Sequence, residues 1–153
     1  IKMPQIKPEY EEMPEFIATA RKLIEKYPSE LGHVPVDLVV AYKVTNKIKP
    51  ESKTKLYDMG GCAEPEAFTN TKKYFVTVFH DIWDSMDNKN RQLVVLSALS
   101  RISKDEPESG KVSGYDMHDQ SFMARTFGVD WAVRHDVPDI LSQTVRLIDE
   151  PIE

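Results

Sequence analysis

The sequence predicts an α+β domain, a small β-sheet packed against about four helices, and three observations carry that prediction. Two segments, one in the first half of the chain and one across its middle, alternate along their length with a period of two, which is strand patterning. Four segments place apolar residues at helical spacing, one before the strands and three after them. The 153 residues are 41% hydrophobic and 29% charged, a composition that folds around a core rather than staying disordered. The length fits one domain over 1–153.

The first helix is expected over Pro14–Tyr27. Phe16, Ala20, Leu23, Ile24 and Tyr27 fall on one face, and Pro28 ends it because proline disfavours helical geometry in the preceding residue. Val36–Thr45 alternates with β-branched enrichment and reads as a strand. The adjacent Gly60 and Gly61 within Leu56–Glu66 suggest a turn or bulge inside a strand pair. Lys73–Ile82 is the second strong strand, apolar on both faces at its centre and therefore central in its sheet, with Trp83 closing it. Asp87 or Asn88 can cap the next helix. Its run from Arg91 to Ile102 is apolar on nearly every side, the mark of a buried helix. Lys104–Gly114 reads as a surface loop, and a short helix from about His118 to Phe127 stops at Gly128. Asp136 can cap a last helix, Val137–Ile148, with Ile140, Leu141, Val145 and Ile148 turned inward.

Charge and composition exclude several classes of function. Twenty Lys plus Arg against 25 Asp plus Glu leave a net charge of −5, which argues against a dedicated nucleic-acid coat. No stretch reaches the roughly 20 apolar residues of a membrane helix, and no apolar signal-peptide core stands near the first residues, so a cytoplasmic location is expected. The lone Cys62 excludes an internal disulfide framework and a zinc site built mainly from cysteines. Cys62 is most simply a small buried apolar residue. Lys43, Lys47, Lys49, Lys53 and Lys55 stand against Glu51 alone, either a solvated hairpin arm or a contact surface for phosphate or an acidic partner. The six tyrosines are scattered and show no stacking pattern for single-stranded nucleic acid.

Several pieces of the second half occur in an order that resembles a known family. An apolar strand, Tyr74 to Ile82, runs into Trp83. A short turn and Arg91 follow, and then a buried helix. After a loop, His118-Asp119 opens a helix containing Phe122, which ends at Gly128-Val129-Asp130-Trp131. From about residue 72 to 131 this is similar to the metallopeptidases encoded by phages and prophages, relatives of the zincins. The resemblance implies a zincin-like fold and a zinc site in which the buried helix carries H-E-L-x-H. In the register set by the flanks, Ser97 stands at the first histidine, Ala98 at the glutamate and Arg101 at the second histidine. Only His118 remains to act as a third ligand.

Those replacements are severe. H-E-x-x-H works because histidines at i and i+4 on one helical face both reach the metal, while the glutamate deprotonates the metal-bound water. Serine is a poor zinc ligand, arginine brings a fixed positive charge, and alanine accepts no proton. No catalytic residue and no cofactor are therefore expected. A rebuilt site would have to draw on His80, Cys62, Asp116, His118 and Asp119, and a hydrolytic use of Ser97 with His118 lacks a nucleophile-elbow motif. A buried Arg101 needs a carboxylate, which Asp116 or Asp119 could supply. Three functions follow as expectations. The first is an inactive metallopeptidase-like scaffold of phage or mobile-element origin that binds a host or defence protein, as an anti-CRISPR or anti-restriction factor would. The second is a zinc-dependent hydrolase with an altered metal site. The third is a nucleic-acid binder using the lysine arm with Lys72 and Lys73, where seven lysines oppose Glu51, Asp58, Glu64 and Glu66 for a local balance of +3.

Overall fold

The computed structural model describes residues 7–49, 56–61, 72–105, 107–110, 112, 121–128 and 130–147. Among them the order is β1 (Tyr10–Glu12), α1 (Pro14–Lys26), α2 (Pro28–Leu31), a 3-10 turn (Val36–Leu38), β2 (Val39–Val44), β3 (Tyr57–Gly61), β4 (Tyr74–Phe79), α3 (His80–Ser85), α4 (Asn88–Ser100) and α5 (Ser121–Phe127). The α+β expectation holds, with a four-stranded sheet in the order β1-β2-β4-β3. β2 and β4 run parallel at its centre, and β1 and β3 pair antiparallel on the outside.

The helix read from Phe16, Ala20 and Leu23 forms as α1, with those three side chains buried. Pro28 does more than stop it. It opens α2 from the N1 position, where its missing N–H costs nothing. The first strand starts later than its alternation suggests. Leu38 N–H donates to the Pro35 carbonyl at 2.8 Å, so Val36–Leu38 close a 3-10 turn before the ladder begins at Val39. β4 ends earlier than expected, at Phe79, because His80 begins α3. That helix turns Trp83 into the core, 6.0 Å from the Phe16 ring. β1 was not expected at all; its three residues are all exposed and carry no periodic signal.

The glycine pair makes neither turn nor bulge among the described residues. β3 pairs with β4 without a slip from Tyr57↔Val78 to Gly61↔Tyr74. Gly61 is required for another reason: a Cβ there would sit 1.6 Å from the Gly110 carbonyl oxygen. The loop expected on the surface is in part fastened down. The Tyr74 hydroxyl donates to the Pro107 carbonyl at 2.6 Å and Lys73 Nζ donates to the Glu108 carbonyl, while Gly110 N–H donates to the Tyr74 hydroxyl.

α4 is the buried helix that its sequence predicts, with Leu93 through Leu99 all below 2% exposure. Its two buried amides are satisfied. Asn90 Nδ2 donates to the carbonyls of Trp131, Ala132 and Arg134, and Gln92 Oε1 accepts the Leu141 N–H. α5 ends as expected at Gly128, whose φ of +92° suits glycine. The last expected helix does not form. Residues 137–147 run as turns over the core, with Ile140 fully buried and Leu141 and Val145 partly so. Asp139 accepts the N–H groups of Leu141 and Ser142, a side-chain alternative to helical bonding. Tyr27 holds the same strap, its hydroxyl donating to the Ile140 carbonyl and accepting from Val145 N–H. Asp136 caps nothing; it pairs with Arg134 at 2.6 Å. Ile148 lies outside the described residues.

Candidate functional site

The register that puts Ser97 and Arg101 four residues apart places both toward one strand. Ser97 is fully buried inside α4, and Arg101 is its C-cap, 6% exposed. Tyr57, at the start of the edge strand β3, meets them both. Its hydroxyl lies 2.9 Å from Ser97 Oγ, and the Arg101 guanidinium carbon lies 5.9 Å from the centre of its ring. The i and i+4 positions of one helical turn thus converge on one aromatic side chain. Ala98 between them is also fully buried. The end of this helix is fixed from outside: Ser100 Oγ donates to the Ser97 carbonyl at 2.6 Å, and His33 Nε2 donates to the Ile102 carbonyl at 2.8 Å.

Among the described residues this donor set does not fit zinc. Zinc takes thiolate, imidazole or carboxylate ligands at about 2.0–2.3 Å. Among the described residues the cluster offers two hydroxyls bonded to each other, an aromatic ring and a guanidinium. A divalent cation here would face a fixed positive charge in a desolvated place. Among the described residues, no group of three His, Cys, Asp or Glu side chains is placed to hold a metal ion. A hydrolytic Ser97 is equally poorly served, since a nucleophile must reach a substrate and Ser97 is 0% exposed.

Asp116, His118 and Asp119, the expected third ligand and the expected carboxylate partners of Arg101, lie outside the described residues, as does Cys62. His80 stands at the first turn of α3. Of the lysine arm, Lys53 and Lys55 lie outside the described residues. Lys43 Nζ pairs with Asp84 at 3.2 Å, and Lys49 N–H donates to the Asp81 carboxylate at 3.1 Å. Of the described part of the arm, the Lys43 charge is thus paired with a carboxylate of α3, while Lys49 is held there through its backbone. Lys72 and Lys73 donate to the Asp37 and Glu108 backbone carbonyls. Tyr57 is the residue that sequence reasoning missed. It is 40 positions from Ser97, and only the pairing of β3 on β4 brings it there.

The residues that carry the family resemblance outside the cluster hold architecture. Arg91 lies over the Trp83 ring at 5.3 Å and its Nε donates to the Trp83 carbonyl. Trp131 is buried beyond the turn at Gly128. A family model described as "Putative phage metallopeptidase" matches residues 8–144. No curated protein and no solved structure matches the chain.

Proposed function

The chain belongs to the phage metallopeptidase family, and from that premise we propose that it is a member without zinc chemistry that acts by binding a partner, a protein of the host cell or of its defence machinery. The observation that carries the reading is the convergence of Ser97 and Arg101 on Tyr57. Where the family's motif would put two imidazoles and a metal, this chain has a packed hydroxyl pair capped by a cation on a ring. Loss of one ligand would leave a damaged site. Replacement of both ligands and the base, with the space between helix and strand packed, favours a scaffold kept for another use. The choice of a host or defence protein rests on the phage character of the family. An inhibitor of a nuclease or immune complex is the specific form proposed.

The test is affinity capture of the tagged full chain from host lysate, run with and without nuclease treatment. One protein retained stoichiometrically in both is the expected result. No retained protein, or retention only through nucleic acid, contradicts the reading.

A further inference from the structure

The sheet begins at β1, which among the described residues pairs with β2 alone. The bonds at either end of their ladder show which way the backbone groups of β1 point. Thr45 N–H donates to the Glu9 carbonyl at 3.0 Å, and Met13 N–H donates to the Ala41 carbonyl at 2.9 Å. Bonded and non-bonded pairs alternate along an antiparallel ladder. Residues 9, 11 and 13 therefore turn their backbone groups toward β2, and Tyr10 and Glu12 turn theirs to the outer side. The short strand is held at both ends. The Asn46 side-chain oxygen accepts Glu9 N–H at 2.8 Å, and its amide donates to the Lys7 carbonyl at 2.7 Å. Met13, only 1% exposed, anchors the other end in the core.

The outer side of β1 is open. Residues 7–12 are all exposed, Tyr10 to 57%, and no strand among the described residues pairs beyond them. The opposite edge differs, since there the Gly110 carbonyl closes on Gly61 of β3. An open edge invites pairing with any extended chain, and proteins guard such edges with short strands, prolines and charge. Here the guard has one sign. Pro8 and Pro14 bound the strand, and Glu9, Glu11, Glu12 and Glu15 stand exposed along it against Lys7. None of these carboxylates forms an ion pair among the described residues.

We propose that the open edge of β1 is the partner-docking surface, and that its occupant is an extended segment of the partner that adds as a further strand and carries lysine or arginine on both of its faces. The inference rests on the partner-binding reading above and adds to it a place and a chemistry. Main-chain bonds to Tyr10 and Glu12 supply the attachment and are indifferent to sequence. The side chains supply the choice. Facing residues on neighbouring strands lie about 4.5–5.5 Å apart at Cβ, close enough for opposite charges to attract and like charges to oppose. Glu11 and Glu12 project to opposite sides of the sheet, so a basic strand meets a carboxylate on each face. A second copy paired on the same edge would set glutamates against glutamates. Nucleic acid would bring phosphates to the same carboxylates.

The probe is a synthetic peptide of about six residues, built on valine and threonine with lysines on both faces. A matched peptide carries glutamates in place of the lysines. Fluorescence anisotropy measures both against the full chain and against Glu11→Lys/Glu12→Lys. The lysine peptide should bind the native chain at least about tenfold more tightly than the glutamate peptide, and the double variant should reverse that order. Tyr10→Pro and Tyr10→Ser test the main-chain attachment. Both remove the ring, but only proline removes the outward N–H, which the β1–β2 ladder does not use. Both variants should melt as the native chain does, and Tyr10→Pro should bind the lysine peptide at least about tenfold more weakly than Tyr10→Ser. Equal binding of the two peptides, no binding of either, an unaltered order in the double variant, or equal binding by the folded proline and serine variants overturns the proposal. Lysate capture with Glu11→Lys/Glu12→Lys separates the two readings. A stoichiometric partner retained equally by native and variant chains overturns this edge and leaves partner binding standing; no partner on the native chain sinks partner binding itself.

Discussion

The bond between Tyr57 and Ser97 can be isolated by removing its ends separately and together. Both hydroxyls are buried and lie 2.9 Å apart, on a strand and a helix distant in sequence. A buried hydrogen bond of this kind contributes about 0.5–1.5 kcal/mol net, and deleting one end of it in a desolvated place costs about 1–3 kcal/mol. Tyr57→Phe leaves the Ser97 hydroxyl without that bond, and Ser97→Ala does the same to Tyr57. Removing both ends loses the same bond only once. The double variant should therefore cost less than the two single variants added, by about 1 kcal/mol or more. Urea unfolding followed by the fluorescence of Trp83 and Trp131, both buried, supplies the three free energies if the slopes agree. Additivity within about 0.3–0.5 kcal/mol would show that the two hydroxyls do not support each other and would remove the packed cluster from the account.

Two further predictions test the frame around the cluster. Gly61→Ala should destabilise the chain by about 1–3 kcal/mol in the same unfolding assay, because its Cβ would meet a backbone carbonyl that has to shift; an unchanged midpoint would mean that the Gly110 segment does not sit on β3. For Asp139, burial works to raise the carboxyl, but hydrogen bonds from Ser142, Gln92 and Leu141 together hold it below the usual carboxylate value. A folded-state pKa below the unfolded one adds stability above the unfolded value, about 3.9, and loses it as pH falls through the folded value. Carboxyl NMR should show the depressed titration, and Asp139→Asn should flatten the acid limb of the melting profile; a titration at or above the ordinary value contradicts the bonding of the C-terminal strap.

Much of the frame was legible because period and burial agreed. α1, α4 and the centres of β2 and β4 each carry a pattern long enough to distinguish helix from strand. The C-terminal strap misled because Val137, Ile140, Leu141 and Val145 also suit a segment laid flat on a core. There Asp139 and the Tyr27 hydroxyl take up backbone groups that a helix would use. Trp83 was read as the end of a strand, but α3 turns it inward from a helix. At the candidate site Ser97, Ala98 and Arg101 could be named from the sequence. That Tyr57 meets Ser97 and Arg101 was not legible there, because it reaches them through strand pairing. The tyrosines looked scattered for the same reason: Tyr10 and Tyr42 become neighbours only when β1 adds to β2.

The most direct test of a scaffold without zinc chemistry is metal content. The full chain would be produced with zinc in excess, dialysed, measured by elemental mass spectrometry, and melted with and without chelator. The account predicts no stoichiometric zinc and one melting temperature in both conditions, since Ser97, Tyr57 and Arg101 give a metal nothing to bind. One zinc per chain, with melting lowered by chelator and the metal lost in His118→Ala, would contradict it and establish an altered metal site.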